Sequence, residues 1–211
     1  MKYRYVAIEG NIGAGKTTLS KQLSKRWNAR LVLEQFEDNP FLPAFYTNPE
    51  KYAFPLEMSF LAERFQQLSR EVQQTELFAE RILADYAPYK SLIFAGRTLD
   101  HAEYGVYKRM HQLLYTNLPN PDLVIYIHQP IERLLLNIEK RGRAYETTID
   151  RKYLEEIEKG YFDFFRARQD LITLVVTPQS DNYAFDGNFH RFVDELLEWN
   201  WSPGRHVVEV D

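Results

Sequence analysis

The chain has 211 residues, 45% hydrophobic and 27% charged, the length and composition of one globular domain and not of a fibrous or low-complexity chain. Its 26 basic and 30 acidic residues leave a net charge of −4, which lacks the basic excess of a protein that coats nucleic acid. The absence of cysteine excludes disulfides, thiolate metal sites and a thiol nucleophile. No apolar run approaches the roughly 20 residues of a membrane helix, and the N-terminal MKYRYVAIEGNIG has no separate apolar core of a signal peptide. A single-domain cytoplasmic protein spanning 1–211, with neither a membrane nor a nucleic-acid polymer as partner, is expected.

In chain order, residues 3–9 (YRYVAIE) read as a short buried strand, and 17–27 as a helix carrying Leu19, Leu23 and Trp27 on one face. Asn28 is placed to end that helix in a left-handed conformation. A second strand is expected at 29–34 (ARLVLE), then a long helix from Pro55 to Phe78 with proline at its first position. Strands follow at 81–85 (RILAD), 122–128 (DLVIYIH) and 171–177 (LITLVVT). Helices are expected at 131–141, 153–168 and 188–199. Strands alternating with helices predict an α/β fold with a parallel sheet covered on both faces. The tail, 202–211, is either an edge strand or a loose end.

The strongest motif is GNIGAGKT at 10–17, which fits G-x-x-x-x-G-K-[ST] and lies between the first strand and the first helix. Gly10, Gly13 and Gly15 let consecutive N–H groups face a phosphate, and the helix N-terminus adds its positive dipole end. Lys16 supplies a charge for the β- and γ-phosphates, and the Thr17 hydroxyl is suited to Mg²⁺. Gly10, Asn11, Ile12, Gly13, Ala14, Gly15, Lys16, Thr17 and Thr18 are therefore the expected nucleotide-binding residues, with ATP and Mg²⁺ as cofactors. The guanine-reading tetrapeptide N-K-x-D of GTPases is absent, and the length suits a compact kinase better than a motor ATPase.

Ligands of open parallel sheets bind beyond the carboxyl ends of the strands. Glu34 and Asp85 sit there, Asp85 placed to help hold Mg²⁺ and Glu34 to accept a proton from an attacking hydroxyl. By strand-end position alone, each acid serves equally well as a cap for the following turn. In KRGR at 140–143, Arg141 and Arg143 have the forked geometry that grips phosphate oxygens. Glu57 and Arg64, seven residues apart on the long helix, share a face about 10 Å apart by helical rise and are placed to grip two edges of a flat base.

These segments, with EQFEDNPFLPAFY at 34–46, FPLEMSFLAERFQQL at 54–68, SLIFA at 91–95 and RGRAYE at 141–146, resemble the deoxyribonucleoside kinase family. They look like the bacterial deoxyadenosine and deoxyguanosine kinases. The resemblance runs from Val6 to about Phe165 and implies a five-stranded parallel sheet flanked by helices, a short basic lid at about 140–150, and a homodimer. It implies transfer of the ATP γ-phosphoryl to the 5′-hydroxyl of a deoxynucleoside. It further implies Glu34 as base on that hydroxyl, with Gln35 in place of the usual proline. Tyr46 and Glu146 would hold the sugar 3′-hydroxyl, and Phe94 would stack on the base.

The sequence departs from that family at three places. Glu57 stands where the family commonly has Gln; an ionised carboxylate offers two acceptors, which match guanine, whereas Gln matches adenine. The residue physics leans to guanine and the resemblance to adenine, with deoxyadenosine placed slightly ahead. Tyr86 replaces the family's arginine after the strand-end acid, and Lys90 is expected to replace either that charge or the partner of Glu57. Glu37 and Asp38 read as loop-capping residues ahead of Pro40. The rival readings are a monophosphate kinase of the thymidylate kinase type, recruiting Arg64 and Arg97, and a nonenzymatic ATP-binding switch.

Overall fold

In the computed structural model, residues 2–35, 39–78, 81–178 and 187–209 are described, with side chains described outside 72–78. Strands β1 (Tyr5–Gly10), β2 (Arg30–Val32), β3 (Ile82–Ala84), β4 (Leu123–Ile127), β5 (Ile172–Thr177) and β6 (Gly204–Glu209) form one sheet in the order β2-β3-β1-β4-β5-β6. Every pairing is parallel. The β1 and β4 strands are buried along their whole length, which is why they read as continuous apolar runs instead of alternating ones. The tail is an edge strand: β6 runs beside β5, from Ile172 opposite Gly204 to Thr177 opposite Glu209, and adds a sixth strand to the five expected.

The helices are α1 (Lys16–Trp27), α2 (Leu42–Thr47), α3 (Pro49–Phe78), α4 (Lys90–Thr98), α5 (His101–Tyr115), α6 (Ile131–Arg141), α7 (Arg151–Ala167) and α8 (Gly187–Glu198). A 3-10 turn at Ala144–Glu146 follows α6. Asn28 closes α1 in the left-handed conformation, φ 49°, as expected. The long helix differs at its start: α3 begins at Pro49, so Pro55 lies inside it. A proline there forfeits one backbone bond to the preceding turn. Burial of Leu56, Leu61 and Leu68 carries the helix through.

Three helices stand where the sequence reading assigns no element, α2, α4 and α5. The start of α5 carries a capping box: the Asp100 side chain accepts from the Glu103 N–H, and the Glu103 side chain accepts from the Asp100 N–H. Glu37 and Asp38 lie outside the described residues.

One contact ties the phosphate loop to the helical layer. Gly13 has φ 83°, and a Cβ built there meets the Leu134 carbonyl oxygen of α6 at 2.7 Å. Gly13→Ala is expected to cost about 1–3 kcal/mol from the unfavourable φ and the backbone clash. At about 2–4 °C per kcal/mol for a chain of this size, a thermal melt reads the loss directly. An unchanged melting temperature would contradict this account of the loop.

Candidate active site

A cleft of about 1130 Å³ opens at the carboxyl ends of the strands, between the β1–α1 loop on one side and α2, α3 and α4 on the other. The loop's Ile12 to Thr18 line it, with Lys16 and Thr17 at the first turn of α1. Gly10 and Asn11 do not line it. Gly10 packs so tightly that a Cβ would meet the Ile127 carbonyl oxygen at 2.8 Å. The Asn11 side chain donates to the Leu154 carbonyl of α7 and accepts from the Ile12 N–H, both at 2.8 Å, so it anchors the loop from beneath. Lys16 Nζ folds back on the Asn11 carbonyl at 2.9 Å. Burial, and after it the neighbouring Lys90 ammonium, push Lys16 down to about 8.

The two strand-end acids, both at the cleft, are joined through a backbone N–H. Asp85 Oδ2 accepts the Thr17 hydroxyl at 2.6 Å, and its Oδ1 accepts the Glu34 N–H at 2.7 Å. Asp85 thereby ties the end of β2 to the phosphate loop. Burial, and then the Glu34 carboxylate, hold its pKa above the usual range. An acid so placed beside a hydroxyl fits a Mg²⁺ that keeps waters and phosphates as its other ligands. Among the described residues there is no cluster of three or more acids and histidines that would form an all-protein metal cage.

Glu34 carries the densest charge contacts of the cleft. Its Oε1 receives Arg64 Nη2 at 2.6 Å and Nε at 2.8 Å; its Oε2 receives Lys90 Nζ at 2.5 Å. The three side chains are 11%, 5% and 6% exposed. Burial alone would raise the pKa of Glu34, but the Lys90 and Arg64 cations outweigh it and bring it down to about 2.

This arrangement bears on two expectations, for Arg64 and for Lys90. Arg64 lines the cleft with Glu57, but its guanidinium is engaged by Glu34. It lies 4.6 Å over the Phe60 ring and turns to Glu34, with Nη1 donating to Ser91 at 2.9 Å. The shared helical face is real, but a long side chain follows the carboxylate that neutralises it. Lys90 pairs with Glu34 and not with Glu57. Tyr86, at the position of the family's arginine, is fully buried and donates to Gln67, which donates to the Leu33 carbonyl.

Glu9, which sequence reasoning passed over as an ordinary strand residue, is also fully buried. It accepts from the Ala87 N–H at 2.7 Å and the Tyr161 hydroxyl at 2.8 Å, fixing the turn that launches α4 and Lys90. Only its charge inside an apolar run, YVAIE, marked it in the sequence.

Glu57 lines the acceptor end of the cleft and is 2% exposed. Its Oε1 lies 3.0 Å from the Thr98 hydroxyl, while Oε2 has no hydrogen-bond partner in the protein. Phe94, half-buried on α4, lines the same end. Phe45 also lines the cleft, whereas Phe41 packs against the apolar cluster of Leu42, Phe45 and Leu56.

On the lid, Glu146 binds Arg141 Nη2 at 2.7 Å and Arg143 Nη1 at 3.4 Å. Tyr46 stacks on Tyr145 with ring centroids 6.2 Å apart, so the lid is docked on α2. The two arginines that a phosphorylated acceptor would need are both engaged, Arg64 with Glu34 and Arg97 with Asp163 at 2.8 Å.

Comparison with known proteins agrees with this geometry. The deoxynucleoside kinase family model matches residues 6–198. A deoxyguanosine kinase of Bacillus subtilis is 38% identical over 199 residues, covering 92% of this chain and 96% of the relative. The deoxyadenosine/deoxycytidine kinase of the same organism is 33% identical, covering 76% of each chain. Among solved structures, deoxyadenosine kinase from M. mycoides with bound dATP superposes with a TM-score of 0.76 at 25% identity, covering 92% of this chain and 100% of that one.

Proposed function

This chain belongs to the deoxynucleoside kinase family and is a deoxynucleoside kinase, and from that premise we propose that it transfers the γ-phosphoryl group of ATP to the 5′-hydroxyl of a purine deoxynucleoside. The observation that carries this reading is the position of Glu34. A carboxylate held by two buried cations faces the same cleft as the phosphate loop. That is the pairing in-line phosphoryl transfer needs: a group to orient and deprotonate the hydroxyl, opposite a cradle for the donor phosphates.

Lys16 and the loop N–H groups bind the donor phosphates, and Arg141 and Arg143 neutralise the transferring group from the lid. Thr17 and Asp85 would hold Mg²⁺, which when bound supplies charge neutralisation between the β- and γ-phosphates. Glu34 takes the 5′-hydroxyl proton as the new P–O bond forms and the bond to the ADP oxygen breaks. Tyr46 and Glu146 hold the sugar 3′-hydroxyl. Both line the cleft, and Tyr46 stacks on Tyr145, the residue before Glu146, which supports a shared ligand. Because Glu146 also carries both lid arginines, sugar binding and lid closure meet in one carboxylate.

A homodimer and a cytoplasmic setting complete the reading. For the first, α5 exposes Val106, Met110 and Leu113 on one face, an apolar stripe suited to a second copy.

The test is a phosphorylation screen with ATP across the four deoxynucleosides, their ribo-counterparts and dAMP. The expected result is that deoxyadenosine and deoxyguanosine lead. A pyrimidine ahead of both overturns the purine assignment, and dAMP ahead of deoxyadenosine overturns the nucleoside acceptor.

A further inference from the structure

The acceptor end of the cleft holds a buried carboxyl group with one oxygen tied and the other left open. The Thr98 hydroxyl has a single hydrogen, yet its oxygen lies 3.0 Å from Glu57 Oε1 and 3.1 Å from the Phe94 carbonyl oxygen. The Phe94 carbonyl already accepts the Thr98 N–H within α4, so the hydroxyl hydrogen is available to Glu57 Oε1 in either protonation state. Oε2, buried and without a hydrogen-bond partner in the protein, is left for whatever binds in the cleft: in the anion it accepts, and in the acid it carries the proton and donates.

We propose that Glu57 selects the base by its protonation state: the carboxylate accepts two donors from a guanine edge, and the carboxylic acid donates to the ring nitrogen and accepts from the amino group of an adenine edge. The two edges differ in just that way, a pair of donors against a donor beside an acceptor. The inference rests on the deoxynucleoside kinase reading above and deepens it. It names the residue that ranks two purines and the variable that changes their rank.

The charges around Glu57 leave it free to switch near neutrality. Arg64 faces it from its own helix, Glu34 from the end of β2, and Lys90 and Thr98 from α4. The phenols of Tyr46 on α2, Tyr107 on α5 and Tyr153 on α7 complete the surroundings. Burial is the largest influence and raises Glu57; the Arg64 cation and the Thr98 hydrogen bond oppose it, and the balance lies at about 7. Glu34, at about 2, stays ionised across the neutral range, and the three phenols stay neutral. Lys16 titrates at about 8 but serves the common donor ATP, so it cancels when two acceptors are compared.

The experiment is kcat/KM for deoxyguanosine and deoxyadenosine from pH 6 to pH 8, for the wild type, Glu57→Gln and Thr98→Val. In the wild type the deoxyguanosine-to-deoxyadenosine ratio is expected to rise about tenfold per pH unit, because one proton separates the two binding states. Glu57→Gln is expected to favour deoxyadenosine with a ratio that does not move with pH. Thr98→Val, which removes a hydrogen bond that favours the anion, is expected to shift the crossover to higher pH. Calorimetry in two buffers at pH 7 gives a separate readout: about half a proton taken up with deoxyadenosine and about half released with deoxyguanosine. A wild-type ratio that stays flat while both purines are phosphorylated overturns the inference and leaves the kinase reading intact. Failure to phosphorylate either purine at any pH overturns both.

Discussion

Glu34→Gln is expected to lower kcat by about 10²–10⁴, the range for loss of a positioned general base, while ATP binding is retained. The substitution keeps the size of the side chain and removes its charge. In the proposed base role, Glu34 at about 2 would be a weak base in the ground state, so proton transfer would come late, when the forming P–O bond has made the hydroxyl acidic. Its two cations hold it ionised and aimed, and the amide can do neither. The same change leaves Arg64 and Lys90 buried without their counter-ion, which costs about 3–5 kcal/mol when one partner of a buried pair is removed. Retained ATP binding, followed with a fluorescent nucleotide, separates lost chemistry from lost folding; single-turnover phosphorylation then measures the chemistry. A fully active Glu34→Gln enzyme would refute the base role. The pH dependence of stability follows from the direction of the shift. The folded pKa is depressed, so the contribution of Glu34 is complete above about 4.5 and is lost as the pH falls towards about 2.

The parts of this site that were legible in the sequence are those in which one short segment encodes both the backbone and the chemistry. GNIGAGKT needs glycine where φ is positive, at Gly13 and Gly15, and the same eight residues supply the phosphate cradle. Strand-end acids are legible because the sheet itself carries them to the cleft, and Asp85 and Glu34 meet through a backbone N–H for that reason. The Glu34–Arg64–Lys90 cluster was not legible. Its members are 30 and 56 residues apart, and a charged side chain on a helix has no sequence mark that distinguishes a solvated position from a buried one. Helical rise placed Arg64 on the correct face and did not say which of two carboxylates it would reach. The α4 and α5 helices were passed over for a related reason: the first is nine residues long, and the second is announced by its Asp100–Glu103 cap more than by an apolar stripe.

Lys90→Met tests whether this site has moved a cation along the chain. The residue after Asp85 is a buried tyrosine serving Gln67, so the positive charge beside the base comes instead from the first turn of α4, held there by the Glu9 contact to Ala87. Removing one charge stabiliser from an active site typically costs about 10²–10³ in kcat, and that loss is expected here. A purely structural lysine would also lower activity if the fold suffered, so the deciding readouts are two pH limbs. Lys90 is the strongest of the cations that lower Glu34, and its loss should raise the Glu34 pKa from about 2 towards the ordinary carboxylate range, bringing an acid limb into view. It is also the neighbouring charge that, after burial, depresses Lys16, so the alkaline limb should move up from about 8. Lys90→Arg, which keeps the charge, should leave both limbs close to their wild-type positions and recover much of the rate. Since Lys90 pairs with Glu34 and not with Glu57, the ratio of deoxyguanosine to deoxyadenosine phosphorylation at fixed pH should change far less than the rate itself. A Lys90→Met enzyme with wild-type kcat and unmoved pH limbs would show that the cation beside Glu34 is not needed for transfer, and that Arg64 alone supplies the charge.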